Sequence, residues 1–342
     1  MRSHLIVNLL VLILGIQLVV GFHAPLFKHK RQPIGVNPKF VNKQYNQKFA
    51  GNRPVNQDVL GYKVSIGVGT PAQNFNLVVD TNLAETWIAN INCDNTDPGD
   101  TCAGCLPPCH SYGCFGCCYK SAFIDTTCPA HILFNPSASS TYSSSNVSWI
   151  GNDKLSGILG NDQVTLGDEI VIQKATFVQI TYLDWTTFNT YDLGDVSGKL
   201  GLGLQGLSST HTPSLFEDAV QSDAAQDSKI GIWLKDSSSS RTTDAVGGIS
   251  FGQIDQEKCP GRLTTLPLAG SNWSFQLTGT SVGEFNIDQA WTAEIALNNQ
   301  WIEVPYELNE KILTATDAEY NYDVGAYSAQ WLAFKLKDSI IN

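Results

Sequence analysis

The sequence Leu77-Val78-Val79-Asp80-Thr81-Asn82 is an apolar run that ends on a carboxylate. Short runs rich in valine and leucine and bounded by polar residues are typical of buried strands. An acid at the end of such a strand can form a catalytic pair only with a second acid that shares its proton, because two like charges about 3 Å apart cannot both ionise. Asp80 is therefore a candidate catalytic residue, and the second half of the chain offers no matching acid.

Composition and patterning predict a mainly β protein with a sizeable core. The chain has 342 residues, of which 42% are hydrophobic and 29 are glycine. Short strands with turn signals between them leave sandwich and barrel architectures open. The pattern predicts strands at 62–69, 75–79, 175–182 and 247–252, with a hairpin made of 149–160 and 163–165. It also predicts a helix with Thr212 as N-cap and Pro213 at its first position, ending near Gln221.

The N-terminus has the pattern of a secretory signal. Arg2 precedes an apolar run over residues 5–20, and Gly21 is a small residue suited to cleavage. A signal anchor is the alternative. We expect residues 1–21 to be a signal peptide and the mature protein to be secreted or lumenal, either extracellular or lysosomal, with no membrane partner.

Charge divides the chain into a basic segment and an acidic body. Residues 22–57 carry seven lysines and arginines and no acid, whereas residues 58–342 carry 13 against all 32 acids, a net charge of −19. A basic leader is attracted to an acidic body. This favours a propeptide-like role over a nucleic-acid arm, so no nucleic-acid partner is predicted.

Eight of the nine cysteines lie within one segment, residues 93–128. Two Cys-x2-Cys spacings suit a zinc site, but the secretory leader favours disulfides. We expect disulfides, no bound metal and no cofactor; Cys259 remains without an assigned partner. The eight candidates are Cys93, Cys102, Cys105, Cys109, Cys114, Cys117, Cys118 and Cys128.

Further segments have an order and spacing that together resemble the pepsin-like aspartic peptidase family. They cover residues 58–305, with weaker similarity to about residue 330. The matching segments are Gly67-Val68-Gly69-Thr70-Pro71-Ala72-Gln73, Val79-Asp80-Thr81, Trp87-Ile88, residues 134–142, residues 156–162, Gly198-Lys199-Leu200-Gly201-Leu202-Gly203, residues 247–252 and Trp273-Ser274-Phe275.

The resemblance implies a mainly β, bilobal pepsin-like acid protease fold around a peptide-binding cleft, here with an incomplete second lobe. Each lobe of the family gives one aspartate, and a β-hairpin flap closes over the peptide. Cys93 and Cys128 match the usual disulfide pair best. The implied organisation is a signal peptide at 1–21, a basic segment that plugs the cleft at 22–57, an N-terminal lobe at 58–230 with the insertion at 93–128, and a partial C-terminal lobe at 231–342.

The first-lobe site departs from the family pattern at several positions. Asn82 replaces a glycine, and asparagine can also adopt the left-handed backbone conformation. Leu83 replaces a serine that would hydrogen-bond the carboxylate. At the flap, Ile150, beside Trp149, replaces a tyrosine. Lys199 stands where an apolar residue is expected, and because a buried unpaired charge is costly, it must reach solvent or find a partner.

The second aspartate is absent from its expected position. The spacing to Trp273 and Pro305 places Ala296 there, and no Asp-Thr-Gly or Asp-Ser-Gly follows residue 200. Glu294, which shares strand parity with Ala296, and Glu303 are the alternative acids. The closing segments of the family's second lobe are also not found before Asn342, so we expect a shortened lobe.

Three functions remain open. The favoured one is a secreted, monomeric pseudo-peptidase that binds a peptide or protein in the cleft. The second is an active endopeptidase that cleaves peptide bonds at acid pH, and the third is an interaction protein that acts through its cysteine-rich insertion. Asn146 and Asn272 stand in glycosylation sequons, which is compatible with secretion.

Overall fold

Strands dominate the part of the chain that the computed structural model describes. That part comprises residues 22–30, 59–94, 128, 132–151, 155–167, 170–183, 196–225, 227–234, 247–261, 264–282, 285–298, 303–316, 319–321 and 326–328. Ten strands form one sheet: β1 (Phe22–Lys30), β2 (Val59–Val68), β3 (Gln73–Asp80), β4 (Trp87–Asp94), β5 (Ser143–Ile150), β6 (Leu155–Leu166), β7 (Ile170–Leu183), β8 (Gly198–Gly201), β9 (Ile230–Leu234) and β10 (Gly247–Phe251).

The sheet is closed on itself over most of its width. Its strand order is β5-β6-β7-β4-β8-β3-β2-β1-β10-β9, and β6 pairs additionally with β2. This extra pairing turns six strands, from β2 through β3, β8, β4 and β7 to β6, into a ring. The mainly β class predicted from the sequence is confirmed, in a barrel-like form.

Strand β3 separates two apolar clusters. Phe75, Leu77 and Val79 belong to one cluster, and Val78 belongs to the other. Side chains alternate between the two faces of a strand, so an uninterrupted apolar run is what a strand buried on both faces requires. The same arrangement buries Asp80 at the end of the run.

The basic segment begins as a strand of the sheet. β1 pairs antiparallel with β2 on one side and with β10 on the other, and Leu26 is fully buried in the first cluster. The resemblance suggested a plug in the cleft for residues 22–57; residues 22–30 lie instead within the sheet. Residues 31–57 and the signal segment 1–21 are outside the described residues.

Two local predictions need correction. The predicted hairpin consists of β5 and β6, which pair antiparallel, and the backbone N–H of Gly151 donates to the carbonyl of Leu155 at 2.9 Å. Residues 163–165 belong to the long strand β6 rather than to a separate one.

Helix α1 (Leu215–Gln221) ends where expected, but its N-cap is Ser214 and not Thr212. Ser214 forms a capping box with Glu217: its hydroxyl accepts from the Glu217 N–H at 3.3 Å, and the Glu217 carboxylate accepts from the Ser214 N–H at 2.8 Å. Pro213 therefore lies before the cap and not at the first helical position.

The later residues form smaller units. Three two-stranded sheets pair β11 (Ser274–Leu277) with β14 (Trp291–Glu294), β12 (Thr280–Val282) with β13 (Phe285–Ile287), and β15 (Glu319–Asn321) with β16 (Ala326–Ser328). Helix α2 (Tyr306–Thr316) lies between the second and third pairs along the chain. Neither described helix has the length and apolarity needed to cross a membrane.

Candidate active site

Asp80 is the last residue of β3. It is only 3% exposed. β2 pairs antiparallel with β3 on one side, and β8 pairs parallel with it on the other, where Gly201 lies opposite Asp80. The neighbouring strands therefore hold the carboxylate away from bulk water.

Both oxygens of the Asp80 carboxylate receive a hydrogen bond. The backbone N–H of Asn82 donates to Oδ1 at 3.0 Å, and the ammonium of Lys199 donates to Oδ2 at 2.8 Å. The Lys199 side chain is 18% exposed and that of Asp80 only 4% exposed, so the ion pair is largely withdrawn from solvent. The prediction that Lys199 must find a partner or reach solvent is confirmed, and its partner is the candidate catalytic acid.

The loop after Asp80 packs tightly against β8. The backbone N–H of Gly203 donates to the carbonyl of Leu83 at 2.8 Å, and a Cβ at Gly203 would lie 2.8 Å from the Leu83 carbonyl carbon. Glycine is therefore needed at 203 for this close approach. Asn82 is exposed and is not among the described non-glycine residues with positive φ, so it does not use the left-handed conformation that we expected to be available to it.

The hydroxyl of Thr81 connects the Asp80 loop to the second half of the chain. It donates to the carbonyl of Ile295 at 2.6 Å and accepts from the backbone N–H of Leu297 at 3.2 Å. These two bonds bracket Ala296, the residue that the spacing places at the second acid. A methyl side chain carries no oxygen, so Ala296 can neither share a proton nor hold a water.

Trp273 fixes the segment that contains Ala296. Its indole N–H donates to the carbonyl of Leu202 at 2.7 Å, and its own carbonyl accepts from the backbone N–H of Ile295 at 3.0 Å. The two halves of the chain are thus joined at the site by backbone and side-chain bonds together.

The alternative acids lie on exposed positions. Glu294 is the last residue of β14, where it pairs with Ser274, and it is exposed. Glu303 is exposed as well. The bonds of Thr81 run to residues 295 and 297, on either side of Ala296.

The flap hairpin presents its two candidate residues to opposite sides. Trp149 is 4% exposed and packs in the second apolar cluster, whereas Ile150 is 77% exposed. Alternation along β5 explains the contrast, because adjacent side chains point to opposite faces. The Trp149 indole N–H is buried and has no hydrogen-bond partner within the described part of the chain.

Glu85 is a buried acid that the sequence patterns did not single out. It is 6% exposed, and its Oε1 accepts from the Ser208 hydroxyl at 3.1 Å, the Ser209 N–H at 2.7 Å and the Ser209 hydroxyl at 3.0 Å. Glu85 therefore joins the far end of the loop after Asp80 to Ser208 and Ser209, which lie 123 and 124 positions further along the chain. No local pattern signals such a contact.

Among the described residues, burial raises the pKa of two groups. Burial raises the pKa of the Asp218 carboxyl in α1 to about 6, opposed in part by the Thr176 N–H bonded to it and assisted by the nearby charge of Glu217. Burial also raises the pKa of Tyr62 in β2. No cluster of three or more metal-ligating side chains occurs among the residues described above.

A disulfide joins Cys93 and Cys128, the two cysteines that the resemblance paired. Cys259 is free and half-buried. The other six cysteines lie outside the described residues. Of the two sequon asparagines, Asn146 is exposed in left-handed backbone, whereas Asn272 is partly buried and its Oδ1 accepts from the buried Ser274 hydroxyl at 2.7 Å.

Comparison with known proteins identifies the family. A profile described as "Eukaryotic aspartyl protease" matches residues 61–335, well over half of the chain. The chain therefore belongs to the eukaryotic aspartyl protease family.

Several curated relatives are similar at low identity. Cathepsin D of Dictyostelium discoideum is 27% identical over 232 residues, which is 65% of this chain and 51% of the relative. Aspartic protease 17 of Caenorhabditis elegans is 27% identical over 82% of this chain and 65% of its own length, and rhizopuspepsin-3 of Rhizopus niveus is 25% identical over 78% and 60%. The chain thus spans between 51% and 65% of the length of these relatives.

Proposed function

We propose that this protein is a secreted pepsin-like pseudo-peptidase that binds an extended peptide or protein segment in its cleft without hydrolysing it. The observation that carries this proposal is the bracketing of Ala296 by the two hydrogen bonds of Thr81. These bonds support the proposal because they hold Ala296, which has no ionisable group, next to the loop that follows Asp80.

Hydrolysis by a carboxylate pair needs two different protonation states at once. One acid takes a proton from the attacking water while the other donates one to the carbonyl oxygen. Asp80 can fill only one of these roles. Lys199 donates a hydrogen bond to Oδ2 and has no acceptor, so it cannot share one proton with Asp80 as two carboxylates do.

Binding does not require the second acid. Ile150 on the β5–β6 hairpin and Ile295 beside Ala296 are 77% and 49% exposed, so both apolar side chains are available to a ligand. Burial of such side chains against a ligand contributes roughly 25 cal/mol per Å² of apolar surface removed from water. The proposed ligand is therefore an extended segment with apolar side chains.

Secretion is part of the proposal. The signal-like residues 1–21, the Cys93–Cys128 disulfide and the exposed sequon at Asn146 all suit the secretory pathway. We propose a glycan at Asn146 and none at Asn272. A loss of one glycan mass from the secreted chain in Asn146→Gln, with no change in Asn272→Gln, is the expected result; the reverse pattern contradicts it.

Recovery of bound peptides tests the proposed function. The secreted protein is incubated at pH 4 and at pH 7 with a mixture of synthetic decapeptides, and the retained peptides are identified by mass spectrometry. We expect retained peptides that are intact and rich in apolar residues. Cleaved products that disappear in Asp80→Asn would instead establish the active endopeptidase, and the absence of any retained peptide would reject a binding cleft.

A further inference from the structure

We infer that Trp149 is the anchor of the β5–β6 hairpin: its indole is the single buried side chain that holds β5 against the sheet, and peptide binding in the cleft proceeds through its release. The inference rests on the proposed function, because it names the step that controls entry to the same cleft. Trp149 is thereby a positioning residue.

Trp149 is the only buried residue of β5. It is 4% exposed, whereas the other seven residues of the strand are exposed or half-buried, with Val147 at 46% and Ile150 at 77%. β5 is also an end strand of the sheet and pairs with β6 alone among the described strands. A strand with one buried side chain has few contacts to lose, so it opens at a lower free energy than the core strands do.

The pairing between β5 and β6 is interrupted. Ser144 pairs with Gly160 and Ser148 pairs with Ile158, so residues 145–147 of β5 lie opposite residue 159 of β6 alone. β6 itself pairs with β7 from its first residue to its last. The weak side of the hairpin is therefore β5, which can separate while β6 stays in the sheet.

The indole packs on the face of β3 that carries Asp80. Trp149 shares the second apolar cluster with Val78 of β3 and Leu155 of β6. Val78 and Asp80 are two residues apart on one strand, so their side chains point to the same face. A Cβ at Gly151 would lie 2.5 Å from Cη2 of Trp149, so the end of the hairpin lies directly against the indole. Release of the indole therefore uncovers apolar surface on the Asp80 face.

The anchored position leaves the Trp149 indole N–H without a partner. A buried indole N–H usually finds an acceptor, and a buried donor without one carries the full cost of its desolvation. The indole N–H of Trp273, by contrast, donates to the carbonyl of Leu202 at 2.7 Å. Apolar contact thus holds Trp149 in place while its unpaired donor favours release. Once released, the N–H gains water or a peptide carbonyl as acceptor.

Hydrogen exchange tests the anchor without any ligand. The exchange rates of the β5 amides are compared with those of the β7 amides in wild type, Trp149→Ala and Val147→Ala. We expect wild-type β5 to exchange faster than β7, and Trp149→Ala to accelerate β5 relative to β7 by roughly tenfold or more. Val147→Ala changes an exposed residue of the same strand and should stay within about twofold of wild type.

Association kinetics connect the anchor to the cleft. Stopped-flow polarisation of a fluorescein-labelled apolar decapeptide gives association and dissociation rates for the same three proteins. If only the released state accepts the peptide, the association rate follows the fraction of molecules in that state. We therefore expect about tenfold faster association in Trp149→Ala, with a smaller change in the dissociation rate, and no change in Val147→Ala.

The outcomes separate this inference from the proposed function. Equal acceleration of β5 and β7 exchange in Trp149→Ala overturns the inference, because Trp149 then belongs to the common core. Faster β5 exchange with an unchanged association rate also overturns it and leaves peptide binding intact. If none of the three proteins binds the peptide, the proposed function fails and the role of Trp149 in entry fails with it. Where Trp149→Ala does not fold, wild type decides: β5 amides as protected as those of β7 contradict the inference.

Discussion

The ammonium of Lys199 lies 2.8 Å from Oδ2 of Asp80, in a pair whose side chains are 18% and 4% exposed. The strand-end acid Asp80 is thus paired with a basic side chain. The pair joins β3 and β8, which run parallel beside each other. It is therefore a contact between two neighbouring strands of the sheet.

Removal of the lysine should destabilise the protein. Lys199→Met keeps the apolar stem but leaves a buried carboxylate without its counter-ion, so we expect a loss of about 2 to 3 kcal/mol in the free energy of unfolding, discounted for the partial exposure of the lysine. Urea unfolding measures this change in the free energy of unfolding. The loss should shrink below about 1 kcal/mol in the Asp80→Asn background, because the charge to be compensated is then gone.

The chain offers a matched control for this prediction. Lys229 pairs with Asp227 at 2.7 Å, but both side chains are more than half exposed. Exposed pairs contribute little, so Lys229→Met should leave stability nearly unchanged. If Lys199→Met and Lys229→Met lower the free energy of unfolding equally, the prediction that the buried pair stabilises the fold is wrong.

The Thr81 hydroxyl should hold the two halves of the site together. Thr81→Val keeps the shape of the side chain but leaves the Ile295 carbonyl and the Leu297 N–H without their partner, which should cost about 1 to 3 kcal/mol of stability. Thr81→Ser retains the hydroxyl and should stay closer to wild type. If the serine and valine variants unfold at the same urea concentration, the two hydrogen bonds of the Thr81 hydroxyl do not stabilise the protein.

Helix α1 should depend on Ser214 rather than on Thr212. Ser214→Ala removes the side-chain half of the capping box and should lower the free energy of unfolding by about 1 kcal/mol. Thr212→Ala should have a smaller effect, since Thr212 lies outside the helix. A larger effect at Thr212, measured in the same urea titration, would restore the earlier assignment of the cap.

Asp218 should make stability depend on pH. Its folded pKa of about 6 lies above the ordinary value of 3.8, so its neutral form is favoured in the fold. The stabilising contribution is therefore complete below about pH 4 and is lost as pH rises through about 6. After allowance for the partial exposure of the group, we expect wild type to lose about 1 kcal/mol over this window relative to Asp218→Asn.

Urea unfolding at pH 4, 5, 6 and 7 measures the difference. Asp227→Asn, at an exposed position, is the control and should follow wild type. If the free energy of unfolding depends on pH in the same way in wild type and in Asp218→Asn, burial does not raise the pKa of the Asp218 carboxyl.

Local patterns predicted the parts of this molecule that depend on neighbouring residues. The apolar run before Asp80 predicted β3 because a strand buried on both faces must be apolar on both. The sequence also contains the capping box Ser214-x-x-Glu217. The prediction nevertheless placed the N-cap at Thr212, because proline is common at the first helical position and Pro213 follows Thr212. The capping box was therefore the stronger of the two local signals.

Contacts between distant residues could not be predicted in the same way. The sequence required that Lys199 find a partner or reach solvent, but the partner lies 119 positions away and is chosen by the parallel register of β3 and β8. The bonds from Thr81 to residues 295 and 297, and those from Ser208 and Ser209 to Glu85, likewise depend on how strands and loops meet in space. Each of these contacts joins residues that no local sequence pattern connects.

The most direct test of the central claim is the rate at which the purified secreted protein hydrolyses a reduced, unfolded protein between pH 3 and pH 6, measured beside Asp80→Asn and a working member of the family. We predict that wild type and Asp80→Asn give the same background rate at every pH, while the working enzyme cleaves the substrate. Acid-dependent cleavage by wild type that Asp80→Asn abolishes would contradict the account, because Asp80 would then have a catalytic partner at a position other than 296.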